Sequence, residues 1–81
     1  MQILVIYDIP RDKLRNKVIE ACKDYGLVRI QYSAFTGDLN NTRRVELFRR
    51  LEVILGSEPG NIQMFPICEK DLEQRMDVIN A

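Results

Sequence analysis

An 81-residue chain with 12 basic and 12 acidic side chains and 46% hydrophobic residues is expected to form one domain, residues 1–81, with only a modest core. It has no histidine, and Cys22 and Cys68 stand alone, which excludes a His/Cys zinc site and a Ser or Cys nucleophile with a histidine base. There is no Gly-rich phosphate loop, no basic leader with a cleavage site and no apolar run long enough to span a membrane, so a reduced, cytoplasmic setting is expected.

Ile3, Leu4, Val5, Ile6 and Tyr7 follow one another without alternation. Such a run predicts a strand buried on both faces at the centre of a sheet. Asp8 stands where this strand leaves the core. It either organises the next turn or is held at the sheet edge for chemistry, and residue type alone favours the turn. The following "IPRD" sets Pro10 in a position suited to a first helical turn, with Asp12 near the positive end of the helix dipole. Leu14, Val18, Ala21, Cys22 and Tyr25 then share one face, and Lys13, Lys17, Glu20, Lys23 and Asp24 share the other. This spacing predicts an amphipathic helix that Gly26 closes.

"LVRIQYSAFTGDL" alternates Val28, Ile30 and Tyr32 with Arg29, Gln31 and Ser33, which predicts strand. No Gly, Pro, Asn or Asp before Gly37 decides between one long strand and two short ones joined at Gln31-Tyr32-Ser33. Asn40, Asn41 and Thr42 can each cap a second helix with the stripe Leu47, Phe48, Leu51, Ile54 and Leu55 and an end at Gly56. Val45 and Val53 fall outside that stripe. After "GSEPGN", the segment "IQMFPI" reads as a short strand whose Pro66 argues for an edge or a bulge. The tail is charged first and then alternates Met76 and Val78 as a strand would.

The order is β-α-β(β)-α-β with a short tail, which fits an α+β, ferredoxin-like split βαβ sandwich if the middle segment folds back as a hairpin. Two helices then cover one face of the sheet. The apolar first strand requires cover on the other face too, and a second copy supplies it, so a homodimer is expected. Residues 1–50 hold ten Lys/Arg against six Asp/Glu and residues 51–81 hold two against six, which divides the neutral chain into +4 and −4 halves.

Metal-assisted chemistry survives the exclusions. Magnesium keeps several waters and needs one or two carboxylates, so one Asp8 from each copy of a twofold dimer suffices for a shared site acting on phosphodiesters. Arg15 lies beside the apolar stripe of its helix and Arg29 lies mid-strand among apolar neighbours, where an unpaired charge is costly; a structural ion pair with Asp8, Asp24 or Asp38 is the competing explanation. Arg43, Arg44, Arg49 and Arg50 cluster on the second helix, either solvated or contacting backbone phosphates, and Glu46 stands four residues before Arg50 as an ordinary helix pair. Phe35 shares the parity of Arg29 and Ser33, which sends it to the polar side of its strand as a dimer-interface anchor or a base-stacking residue.

"VIYDIPRDKLRNKV", "YGLVRIQYSAFTGDLN" and "MFPIC" together resemble the small CRISPR-associated adaptation protein, the second of the two core Cas proteins, from residue 2 to about residue 68. The resemblance implies a ferredoxin-like homodimer with the middle segment as two strands, and in many members a tail that adds a strand to the neighbouring subunit. It implies a magnesium-dependent endonuclease acting on single-stranded RNA or double-stranded DNA and partnered with the CRISPR integrase in spacer acquisition. It aligns Asp8 with the metal-binding aspartate, and Arg15, Arg29 and Phe35 with functional positions, the two arginines as catalytic residues that steady the scissile phosphate or the local fold. Lys17 stands where close relatives carry arginine and lacks the bidentate fork. The competing expectation is a non-catalytic dimeric scaffold that bridges integrase subunits and binds DNA; a toxin-like ribonuclease of similar fold is a weaker alternative.

Overall fold

The computed structural model describes residues 1–80. Its first strand, β1 (Gln2–Asp8), is flanked on both sides and so has no free edge. Helix α1 (Asp12–Asp24) follows, then β2 (Val28–Gln31), β3 (Ala34–Asp38), helix α2 (Asn41–Leu55), β4 (Asn61–Ile67) and the short helix α3 (Glu69–Leu72). The strands are ordered β2-β3-β1-β4 and every neighbouring pair is antiparallel. This is the ferredoxin-like α+β sandwich.

The middle segment is a hairpin turned by Tyr32 and Ser33. Its first strand is irregular: Arg29 pairs with Phe35 and Gln31 with Ala34, so the register shifts between them. That shift breaks the alternation expected from residue 28 to residue 33.

The core lies between the sheet and the two long helices. Ile3, Val5 and Tyr7 of β1 meet Val18, Ala21 and Cys22 of α1 and Leu47 and Leu51 of α2, all with almost no exposure. Each fully buried aliphatic side chain of this kind contributes about 1.5–3 kcal/mol. Tyr25 closes α1, and Gly26 takes the left-handed φ of 79° that favours glycine there. Asn40 caps α2, its side chain accepting a hydrogen bond from the Arg43 amide at 2.8 Å. Pro66 lies on β4, which is an edge strand.

Within one chain β1 is buried on one face: Leu4 is half-buried and Ile6 is 37% exposed, because the helices cover a single side of the sheet, and the expected cover of the other face is a second copy. Two expectations need correction. Pro10 precedes the helix, which starts at Asp12 after Arg11 at the N-cap. Met76 and Val78 are exposed and outside any strand.

Candidate active site

Asp8 ends β1 opposite Asn61 of β4. It shares parity with Leu4 and Ile6, whereas Ile3, Val5 and Tyr7 enter the core. Its carboxylate therefore belongs to the face of the sheet away from the helices. It is exposed, and among the described residues it has no ion-pair partner. Its backbone is closely fitted: Gly60 approaches at a φ of 138°, and a Cβ there would lie 2.7 Å from the Asp8 carbonyl oxygen.

The loop after Asp8 is fixed by two arginines. Arg15 Nη1 donates to the Ile9 carbonyl at 3.1 Å, and its Nη2 pairs with Asp12. Arg11 pairs with Glu58 at 2.7 Å, which ties this loop to the turn before β4. The ion-pair partner of Arg15 is thus Asp12, not Asp8, Asp24 or Asp38. Such charge-assisted contacts to backbone hold a carboxylate-bearing loop in one conformation.

Arg29 and Tyr7 converge on a single acceptor. Arg29 donates to the Tyr32 carbonyl from Nη2 at 2.6 Å and from Nε at 3.3 Å, and Tyr7 Oη donates to the same oxygen at 3.1 Å. The guanidinium also lies 5.1 Å from the Tyr32 ring centre and 6.0 Å from that of Phe35. Burial raises the pKa of Tyr7 above 10.0 against the pull of Arg29. Arg29 therefore fixes the β2–β3 turn next to the end of β1. Its charge is satisfied by a carbonyl and two rings instead of a carboxylate.

Phe35 does not project to the polar side of its strand. It pairs with Val5, is fully buried and stacks against Tyr7 with ring centres 6.3 Å apart. Neither a base nor a second copy reaches it in this arrangement. Arg29 and Phe35 do share a face, being direct cross-strand partners, but that face is the one Val5 turns to the core and not the polar one.

Lys17 is exposed in α1. Arg43 lies over the Tyr25 ring at 4.8 Å, and Arg44 bonds to Asn41 at 2.6 Å while its Nε is buried without a partner. Arg44 and Arg49 line a groove of about 280 Å³ with Val45, Phe48, Glu52 and Met64. Because α2 begins where β3 ends, and β3 runs antiparallel to β1, Arg43 and Arg44 sit at the end of the sheet opposite Asp8. Arg50 pairs with Asp24 at 3.0 Å, not with Glu46.

The structure thus gathers Asp8, Arg15, Arg29, Tyr7 and Tyr32 at one end of β1 and leaves Arg43 and Arg44 at the other. Tyr7, Tyr32 and Gly60 were absent from the sequence candidates. The available signals were the polar end of an otherwise apolar run for Tyr7 and the "EPGN" turn for Gly60. Among the described residues no three His, Cys, Asp or Glu side chains cluster to hold a metal. One chain offers the hard oxygens of Asp8, a donor that fits magnesium as part of a shared, largely hydrated site.

The family model described as CRISPR associated protein Cas2 matches residues 1–75. A protein of Desulforudis audaxviator named CRISPR-associated endoribonuclease Cas2 is 56% identical over 72 residues, covering 89% of this chain and 68% of that one. One of Chloroflexus aurantiacus named CRISPR-associated endoribonuclease Cas2 2 is 47% identical over 75 residues, covering 93% and 88%. The crystal structure of Streptococcus pyogenes Cas2 at pH 6.5 superposes with a TM-score of 0.81 at 26% identity, covering 99% of this chain and all of that one.

Proposed function

The chain belongs to the Cas2 family, and from that premise we propose that it is a magnesium-dependent endoribonuclease, active as a homodimer, that serves CRISPR spacer acquisition together with the CRISPR integrase. Double-stranded DNA is the second substrate class. The names of its relatives support the ribonuclease reading. The observation that carries it is the position of Asp8: an exposed carboxylate without an ion-pair partner, on a rigid strand end, on the same open face as Leu4 and Ile6. Two copies joined through that face bring two such carboxylates to one cleft.

In this reading Asp8 from each copy would hold the ion. Magnesium, when bound, supplies positive charge against the scissile phosphate and activates water for attack. Asp8 orients the site through the closely fitted backbone around Gly60. Arg15 keeps the loop after Asp8 in one conformation, and Arg29 does the same for the neighbouring turn, so both act as positioning residues. The basic row of α2 offers Arg43, Arg44 and Arg49 to phosphates held farther away, where DNA supported between integrase subunits would run.

The test is incubation of the purified protein with labelled single-stranded RNA and duplex DNA, with magnesium or a chelator, beside Asp8→Ala. Magnesium-dependent cleavage that falls at least about a hundredfold in Asp8→Ala is expected. Cleavage by Asp8→Ala at the parent rate contradicts the assignment. Spacer acquisition supported by Asp8→Ala in cells would identify the scaffold role as the one that acquisition requires.

A further inference from the structure

We propose that Tyr32 is a stacking platform for an unpaired nucleobase, and that it gives the site its preference for single-stranded RNA over duplex. This rests on the reading of Asp8 as the cleavage site and adds the subsite that receives the substrate beside it.

Tyr32 is an aromatic side chain at the apex of a two-residue turn, and it is 76% exposed. Apart from the Arg29 guanidinium over it, a ring that exposed leaves most of its surface open to solvent. Its backbone, in contrast, is firmly held, since the carbonyl accepts from both Tyr7 Oη and the Arg29 guanidinium. That combination, a fixed main chain carrying a free ring, is what a preorganised binding surface requires.

The ring is also polarised. The Arg29 guanidinium lies 5.1 Å from its centre, and the exposure leaves the rest of the ring surface open to solvent. A base placed on the open side stacks on an aromatic already backed by a cation, and it brings its phosphate toward that charge.

The location matches the chemistry. β1 and β3 pair from Gln2 and Asp38 to Ile6 and Ala34, and the Tyr7 amide donates to the Ser33 carbonyl at 3.1 Å beyond the last pair. Ser33 follows Tyr32 and Tyr7 precedes Asp8, so this bond puts the β2–β3 turn at the same end of β1 as Asp8, and a base on Tyr32 would belong to a nucleotide near the phosphate at Asp8. In a duplex every base is stacked and paired, and reaching Tyr32 requires opening it; a single strand presents its bases freely.

The experiment uses the full chain carrying Asp8→Asn, which separates binding from cleavage, and a single-stranded RNA oligonucleotide with 2-aminopurine in place of one adenine. Quenching of its fluorescence on binding reports stacking. Tyr32→Ala and Tyr32→Leu should lose the quenching and weaken RNA affinity about tenfold. Tyr32→Phe should keep both, and affinity for a duplex DNA of the same sequence should not change in any variant. Equal RNA affinity and quenching with and without the aromatic ring would overturn the proposal, as would an equal loss on duplex. Failure of the parent to bind RNA would overturn it too. Intact, Tyr32-dependent binding with no cleavage by the protein bearing Asp8 would overturn only the nuclease reading. Thermal melting of Tyr32→Ala at the parent temperature separates a lost contact from a lost fold.

Discussion

Cys22 illustrates how burial decides the behaviour of a side chain. Cys22 is fully buried between α1 and the sheet, and desolvation pushes its thiol from 9.0 up to about 12 despite the nearby Arg50 charge. In the unfolded chain the thiol ionises near 9, so between pH 9 and 12 the folded state holds a proton that the unfolded state has released. The stabilisation is complete below about pH 9 and declines as pH rises, at about 1.4 kcal/mol per pH unit. Tyr7, raised by burial, adds to the same alkaline loss. Urea denaturation at pH 8 to 11 should therefore show the stability gap between the parent and Cys22→Ala narrowing as pH rises; a constant gap contradicts this assignment. Phe35 teaches a related lesson about legibility. Its residue type was compatible with an interface, a base or a core, and only the strand register places it against Val5 and Tyr7.

At the scale of elements, much of the fold was readable because each signal was local. The apolar spacing of α1, the Asn40 cap, Gly26 at a left-handed φ and the edge position of Pro66 each follow from a few neighbouring residues. The β2–β3 turn was readable only as one of two alternatives, because Ser33 is its one ordinary turn residue and the Tyr32 carbonyl is held in part by Tyr7, 25 residues away in sequence. Asp8 was readable as a strand end, but its neighbours Arg15, Tyr32 and Gly60 become a site only through the loop and turn contacts. The turn between α2 and β4 carries the sharpest of these constraints. At Gly60 a Cβ would meet the Asp8 carbonyl at 2.7 Å and the Ile9 Cα at 3.3 Å, and the φ of 138° disfavours any L side chain. Gly60→Ala should cost about 1–3 kcal/mol by urea denaturation and lower RNA cleavage by shifting Asp8. Unchanged stability and cleavage would mean that the turn moves without reaching β1.

For the whole molecule, the sheet has one face covered by α1 and α2 and one face that carries Leu4, Ile6, Val28 and Phe65 at partial or full exposure. Covering this second face removes apolar surface from water at about 25 cal/mol per Å², and Asp8 lies at its rim. A second copy related by a twofold axis would place equivalent residues face to face, and in the proposed reading that is how a chain with one suitable carboxylate would build a divalent-ion site. The proposed metal site and cleavage activity therefore require the dimer, whereas the dimer alone would still serve as a scaffold. Manganese, a stand-in for magnesium that is visible to electron paramagnetic resonance, measures this directly: titrating the protein and following the free-ion signal gives the number of ions bound per chain. The account predicts one ion for every two chains and loss of that site in Asp8→Asn; one ion per chain, or binding untouched by Asp8→Asn, would contradict it.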